Sequence, residues 1–431
     1  MHFSFSFSAP RPVSILGMIV AIAIQTGNAV ADDVQWTGQV RGLVSAQSDS
    51  MNSPLTLAGQ LAPGLITASV NTAVLETELH LSNRHLSVIA TVQGRIDDIA
   101  HTNTSASSIW VNELVSSIDR GAWQFSAGKK IVGWDVAYGF RPNDVVQQEK
   151  RRSLISTTVI GRPLLMAEYF NADTAVSFVW VNPLRSRDTI SNSADIAEEQ
   201  AFATRLYYRA GSLDLHAFTR LGQHTGGSVG SAAAWVATEA LELHASLRYL
   251  QRCPVSTIET DNSLIQRSSP WSSSIKKHVG QALLGGTWTS EDQHSFLLEA
   301  WWDGTALSGQ QWRAWTTKNQ QLRSSVNTLP QLSREIAYNL AWQSQPLSSS
   351  ANLRRNNVFA RWSWQTSTWQ PAIDVLWTPE DGGRIATASL GWQGDQWRID
   401  GGFRQYGGPS TAVLAQLPAR QTAYASASWS F

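Results

Sequence analysis

The sequence predicts an all-β chain forming a single large antiparallel transmembrane β-barrel of about 18–20 strands, with tight turns at one end and long loops at the other. Three observations carry this. Apolar and polar residues alternate with period two along most of the 431 residues, the mark of strands with one apolar and one polar face. Tight connections alternate with long ones. An apolar leader is followed by no further run long enough for a spanning helix.

The leader comes first. His2 and Arg11 make it weakly basic, Val13 to Ile24 is almost wholly apolar, and Ala29-Val30-Ala31 fits a small-residue cleavage site. This predicts a signal peptide over 1–31, Sec-type export and a mature barrel over 32–431. Composition agrees with a membrane strand protein. Charged residues are 15% of the chain, against roughly 25% in ordinary soluble domains. There are 20 Trp but only 4 Met and 1 Cys, and a barrel uses interfacial aromatics on most strands. Cys253, alone, forms no intrachain disulfide and reads as a small structural residue at a strand end. Removing Arg11 leaves the mature chain near −1, and no basic run points to nucleic acid.

The alternation begins at Val34 to Ser45, where Trp36, Gly38, Val40, Gly42 and Val44 share a face and Leu43 breaks the polar one. From Ala73 to Leu81, apolar residues oppose Glu76, Glu78 and His80. Two Glu and a His are unwelcome in a sandwich core but belong in a wet lumen. The pattern recurs at 86–95, 123–131, 202–209, 213–220, 241–249, 336–343 and 397–404. Ile385 to Trp392 fits either register. Counting gives about 19 strands, so parity asks for one more, and Gln310 to Thr317 is its best place. Helix is expected only at Val145–Leu154 and Ala194–Ala203. Long loops are expected at 46–65, 96–107, 132–162, 182–199, 253–277 and 407–419.

Ala423 to Phe431 reads AYASASWSF. It resembles the C-terminal strand of bacterial outer-membrane β-barrels, whose terminal Phe is read by the barrel-assembly machinery. The resemblance implies an outer-membrane location in a Gram-negative bacterium. Trp429 and Phe431 would form the assembly signal, and outer-membrane lipids and lipopolysaccharide would surround the barrel. The strand should pair with Val34 to Ser45, with Phe431 at the periplasmic edge.

A second stretch, Gly128-Lys129-Lys130 leading through Gly133-Trp134 to Phe140-Arg141-Pro142-Asn143-Asp144, resembles a loop of porin-like channel families. Such families often fold this loop inward as a constriction. Asp135, Arg141, Asp144, Glu149, Arg151 and Arg152 would then set opposed charges across the passage; a solvated loop on the barrel rim is the alternative. Lumen-facing charges are expected at Glu76, Glu78, Arg205, Arg209, Asp214, His216, Arg220, Glu242, His244, Arg248, Arg398, Asp400 and Arg404. They are mixed in sign, so mutual pairing across strands is expected and strong ion selectivity is not.

A barrel of this size leaves room for solute, which favours a channel for small polar solutes. An adhesin or assembly scaffold with a plugged lumen is the alternative. A hydrolase is weaker: Asp214 with His216 and Glu242 with His244 are the only suggestive pairs, both near the periplasmic end. No metal-ligand spacing or cofactor motif appears, so no cofactor is expected.

Overall fold

A computed structural model of the chain describes residues 34–64, 66, 70–99, 102–147, 159–183, 199–258, 263–349 and 351–431. The expected leader lies outside these residues. The strands begin with β1 (Gln35–Asp49), β2 (Asn71–Ser82), β3 (Leu86–Ile99), β4 (Thr102–Arg120), β5 (Trp123–Lys130) and β6 (Arg162–Phe170). They continue with β7 (Thr174–Val181), β8 (Ala201–Ala210), β9 (Leu213–Gly222), β10 (Gly226–Thr238), β11 (Leu241–Ile258) and β12 (Trp271–Thr289). The last are β13 (His294–Asp303), β14 (Asn356–Trp364), β15 (Trp369–Thr378), β16 (Gly383–Gln393), β17 (Trp397–Gly407) and β18 (Ala419–Ser430).

Each strand pairs antiparallel with its sequence neighbours, and β1 pairs with both β2 and β18, which closes an 18-stranded barrel. At the seam Val40 faces Trp429 and Gly42 faces Ala427. Gly38 and Phe431 exchange both backbone hydrogen bonds at 3.0 Å. The Phe431 ring lies on Gly38, where a Cβ would collide with it.

The barrel is turned inside out relative to a soluble core. In β13, Phe296, Leu298 and Trp302 are exposed, while Leu297, Glu299, Trp301 and Asp303 are buried. The apolar face looks outward and the carboxylates look inward, which only a lipid-facing wall tolerates. The register places Ile385, Thr387 and Ser389 of β16 inward, level with Leu376, Asp374 and Ala372 of β15. It also turns Leu43 inward, opposite Val74.

Among the described residues, four α-helices stand at the long-loop end: α1 (Pro54–Leu61) between β1 and β2, and α2 (Gly309–Thr328), α3 (Ser333–Gln343) and α4 (Gln345–Ser349) between β13 and β14. Two expected strands are therefore corrected. Gln310 to Thr317 lies in α2, and 336–343 lies in α3. Ile336 and Leu340 are four apart, a spacing that fits period two and period 3.6 alike. The deciding neighbour is Ala337, which is buried with them while Tyr338 is exposed. In α2 the buried side chains are Trp312, Trp315, Asn319, Leu322 and Ser325, a helical stripe. Ser308 caps α2 in a capping box with Gln311, and Pro330 follows its end. Ser53 caps α1, with Pro54 in its first turn.

The helices bury one another. Ala58 of α1, Leu322 of α2, and Ile336, Ala337 and Leu340 of α3 form one apolar cluster. Trp312 and Trp315 join Leu347, Val413, Leu414 and the inward-facing Ile385 in another, which seats the helices on the barrel mouth. The expected helices fail where they can be seen: 145–147 has no helix and Ala201 opens β8. Several expected loop boundaries also move. β1 runs on to Asp49, β3 and β4 extend to Ile99 and from Thr102, β11 runs on to Ile258, so Cys253 lies within a strand, and β12 begins at Trp271.

Candidate functional site

After β5 the chain leaves the wall and crosses the barrel interior as an irregular segment, residues 131–147. Its apolar side lies on one arc of the wall. Val132, Trp134, Val145 and Val146 pack with Leu164, Val179, Val181, Ala203 and Phe218 of β6–β9. Further along, polar groups hold it to the wall. Asn143 Nδ2 donates to the Ser231 carbonyl at 3.1 Å, and Arg248 donates to the Pro142 carbonyl at 2.7 Å. The Tyr138 and Gly139 amides donate to the two oxygens of Glu299 at 2.7 and 2.6 Å. Phe140 stacks on Trp301, and Tyr138 stacks on Phe359 of β14. The segment thus lies across β6 to β14 inside the barrel.

Glu299 is fully buried, and its third partner is His244 Nε2 at 2.9 Å. Two amides and an imidazole satisfy a carboxylate that would be costly there alone. Glu299, the one carboxylate within the apolar stretch FLLEAWW, was the available sequence signal for this anchor. Its partners, two backbone amides 160 residues away, leave no trace in side-chain patterning.

The expected constriction charges are corrected in role. Asp135 and Asp144 are buried within the segment instead of facing the lumen. Asp135 accepts from the Val136 amide, the Asn143 amide and the Ser246 hydroxyl. Asp144 accepts from the Trp134 and Asp135 amides and pairs with Arg141 at 3.2 Å. Burial pushes the Asp144 carboxyl above the usual carboxylate range, against the pull of Arg141 and the two amides. These three residues fold the loop onto itself. Glu149, Arg151 and Arg152 lie outside the described residues.

The other charges sit on inward faces and have partners. Glu76 binds Arg41 at 2.8 Å and Gln93 at 3.1 Å; Glu78 binds His80 at 2.6 Å. Arg205 donates to His216. Asp214 accepts from the Tyr207 hydroxyl and stands opposite Arg209. Glu242 lies 3.7 Å from His244. Arg398 binds Asp400 at 2.9 Å, and Arg404 donates to Thr387. Arg220 binds Glu199 at 2.7 Å. Burial opposes the charge on Glu199, but Arg220 and donors from His224 and Thr225 outweigh it and hold this carboxyl below the usual range. Trp429 and Phe431 pack on each other at the seam, with Phe431 also against Trp36.

Between the inward segment and the inner face of β13–β18 a cavity of about 640 Å³ remains. Its lining reaches from Asn352 and Leu414 at the long-loop end to Gln365 and Arg398 beside the tight turns.

No family model matches the chain, and no curated protein matches it. Solved structures do. The structure of Pseudomonas aeruginosa OccK5 (OpdH) superposes with a TM-score of 0.50 at 9% identity, covering 93% of this chain and 98% of that one. The fold is that of a porin. Salmonella typhi OmpF in complex with daunomycin gives a TM-score of 0.45 at 7% identity, covering 92% and 97%. A mutant of Rh. blastica porin gives 0.42 at 9% identity, covering 92% and 100%. The likeness is one of fold alone, and the OccK5 superposition carries it.

Proposed function

We propose that the protein is an outer-membrane channel through which small polar solutes pass, passively or helped by contacts with the wall. The observation that carries this reading is the cavity itself. It follows one side of the barrel from mouth to turns, and Asn, Gln, Ser, Thr, Arg and Asp side chains run through its lining beside aromatic and aliphatic ones. A lumen filled only to stabilise the wall has no need of such a polar strip. In this reading 1–31 is a leader removed after Sec-type export, and 32–431 is the mature barrel. Trp429 and Phe431 present the closing strand to the assembly machinery, and lipid and lipopolysaccharide surround the apolar outer face. The segment 131–147 narrows the passage by its bulk, and its buried charges position it.

Planar-bilayer recording on purified protein tests this: discrete conductance steps are expected. A second reading, a scaffold with a plugged lumen, draws on the apolar helical cluster over the mouth. A silent bilayer from protein that still migrates as a heat-modifiable barrel on gels would favour that reading over the channel.

A further inference from the structure

The strand register sorts the cavity wall into levels. At one level Arg361, Asp374, Thr387, Arg404 and Thr422 stand opposite one another across β14–β18. Arg361 donates to Asp374 at 3.0 Å, and Arg404 Nε donates to Thr387 at 2.9 Å. The next level toward the tight turns is small: Ser363, Ala372, Ser389 and Gly402, closed by Tyr424. Against the β14 end of the charged belt stands Tyr138, carried in by the inward segment. It is 44% exposed, which leaves part of its surface open to the cavity it lines. Phe359 stacks on it with centroids 5.9 Å apart, and the Arg361 guanidinium lies 5.7 Å from its ring centroid.

This arrangement has a definite chemical preference. Arg361 with Asp374, and Arg398 with Asp400, present donors and acceptors side by side with their charges mutually compensated. A small anion would have to compete with an aspartate for Arg361 and for Arg398, and Arg404, beyond Asp374 on the same level, already donates to Thr387. A group that both donates and accepts, such as a hydroxyl, can bond to both members of a pair and leave it intact. The exposed part of the Tyr138 side chain offers apolar surface to the C–H groups of a saturated ring, and the small side chains of Ser363, Ala372 and Ser389 line the cavity beneath the belt. Resting on the channel reading above, we propose that the strip between Tyr138 and the Arg361–Asp374–Thr387–Arg404 belt binds neutral polyhydroxylated rings, that is, saccharides, as they cross.

The test is interruption of ion current through the full-length protein in planar bilayers by cellobiose and sucrose, with succinate and benzoate as ionic comparisons. The saccharides are expected to block saturably and the acids not. Tyr138→Ala and Asp374→Asn should each weaken the saccharide block about tenfold, the scale of one lost contact, whereas Tyr138→Phe should retain it. Block by the acids in place of the saccharides, or block untouched by both variants, overturns the proposal while leaving the channel standing. If no conductance appears, the channel reading fails. Titration calorimetry of the detergent-solubilised barrel with cellobiose then decides the site: Tyr138-dependent heat supports it, and its absence overturns it.

Discussion

Residues 131–147 and the segment between β13 and β14 both leave the barrel wall, yet the first has neither helix nor strand and the second is largely helical. The difference follows from what each lies against. Residues 131–147 run along a wall that offers Arg248 and Glu299, so the backbone groups of Pro142, Tyr138 and Gly139 find partners there. The segment after β13 stands at the mouth, beyond most of that wall. Its backbone must satisfy itself, which a helix does, and it gains stability by burying Trp315, Leu322, Ile336 and Leu340 against other loops. Polar anchors hold the one, apolar burial the other.

The largest effect should come from breaking the polar anchor. Glu299→Ala leaves two amides and His244 without their acceptor, and removing one partner of a buried charged network costs about 3–5 kcal/mol. Freed at Tyr138 and Gly139, the segment should swing from the passage and raise single-channel conductance several-fold. Unchanged conductance would mean that the segment does not narrow the passage.

Removing apolar burial at the mouth should act differently. Leu322→Ala should cost about 2–5 kcal/mol, seen as faster proteolysis of the helical segment, while open-channel conductance stays near that of the parent. A conductance jump equal to that of Glu299→Ala would erase the distinction between the two segments.

Acid should give the smallest and most discriminating effect. The Glu199 carboxyl is held low, so its contribution is present above the ordinary glutamate range and is lost as pH falls through its lowered value. The Asp144 carboxyl is held high, so its contribution is present below the ordinary aspartate range and lost as pH rises through its raised value. Acidification should therefore weaken exchange protection at the His224 and Thr225 amides, relative to those of Trp134 and Asp135. Equal loss at both places would contradict the opposed environments.

Much of the fold was legible because a strand writes its two faces into alternate residues. Glu76, Glu78, Asp214, Arg248 and Arg404 could be placed on inward faces from period two alone. The closing strand could be assigned to β1 because AYASASWSF alternates to its last residue. The helical segment was misread because Ile336 and Leu340 satisfy both periods, and only the packing of Ala337 against α1 and α2 separates them. The inward segment could be recognised as a loop, but not its path. Asp135 and Asp144 look like free pore charges in a sequence because most of their partners are backbone amides, which nearly every residue carries.

Sequence by itself thus determined the barrel, its polarity and the pairing of its ends, since those depend on the order of apolar and polar residues along each strand. Tertiary structure decided which carboxylates face the cavity and which hold the inward segment. That choice rests on contacts such as Glu299 with the Tyr138 and Gly139 amides, between groups far apart in the chain, and local patterning carries no record of which groups meet.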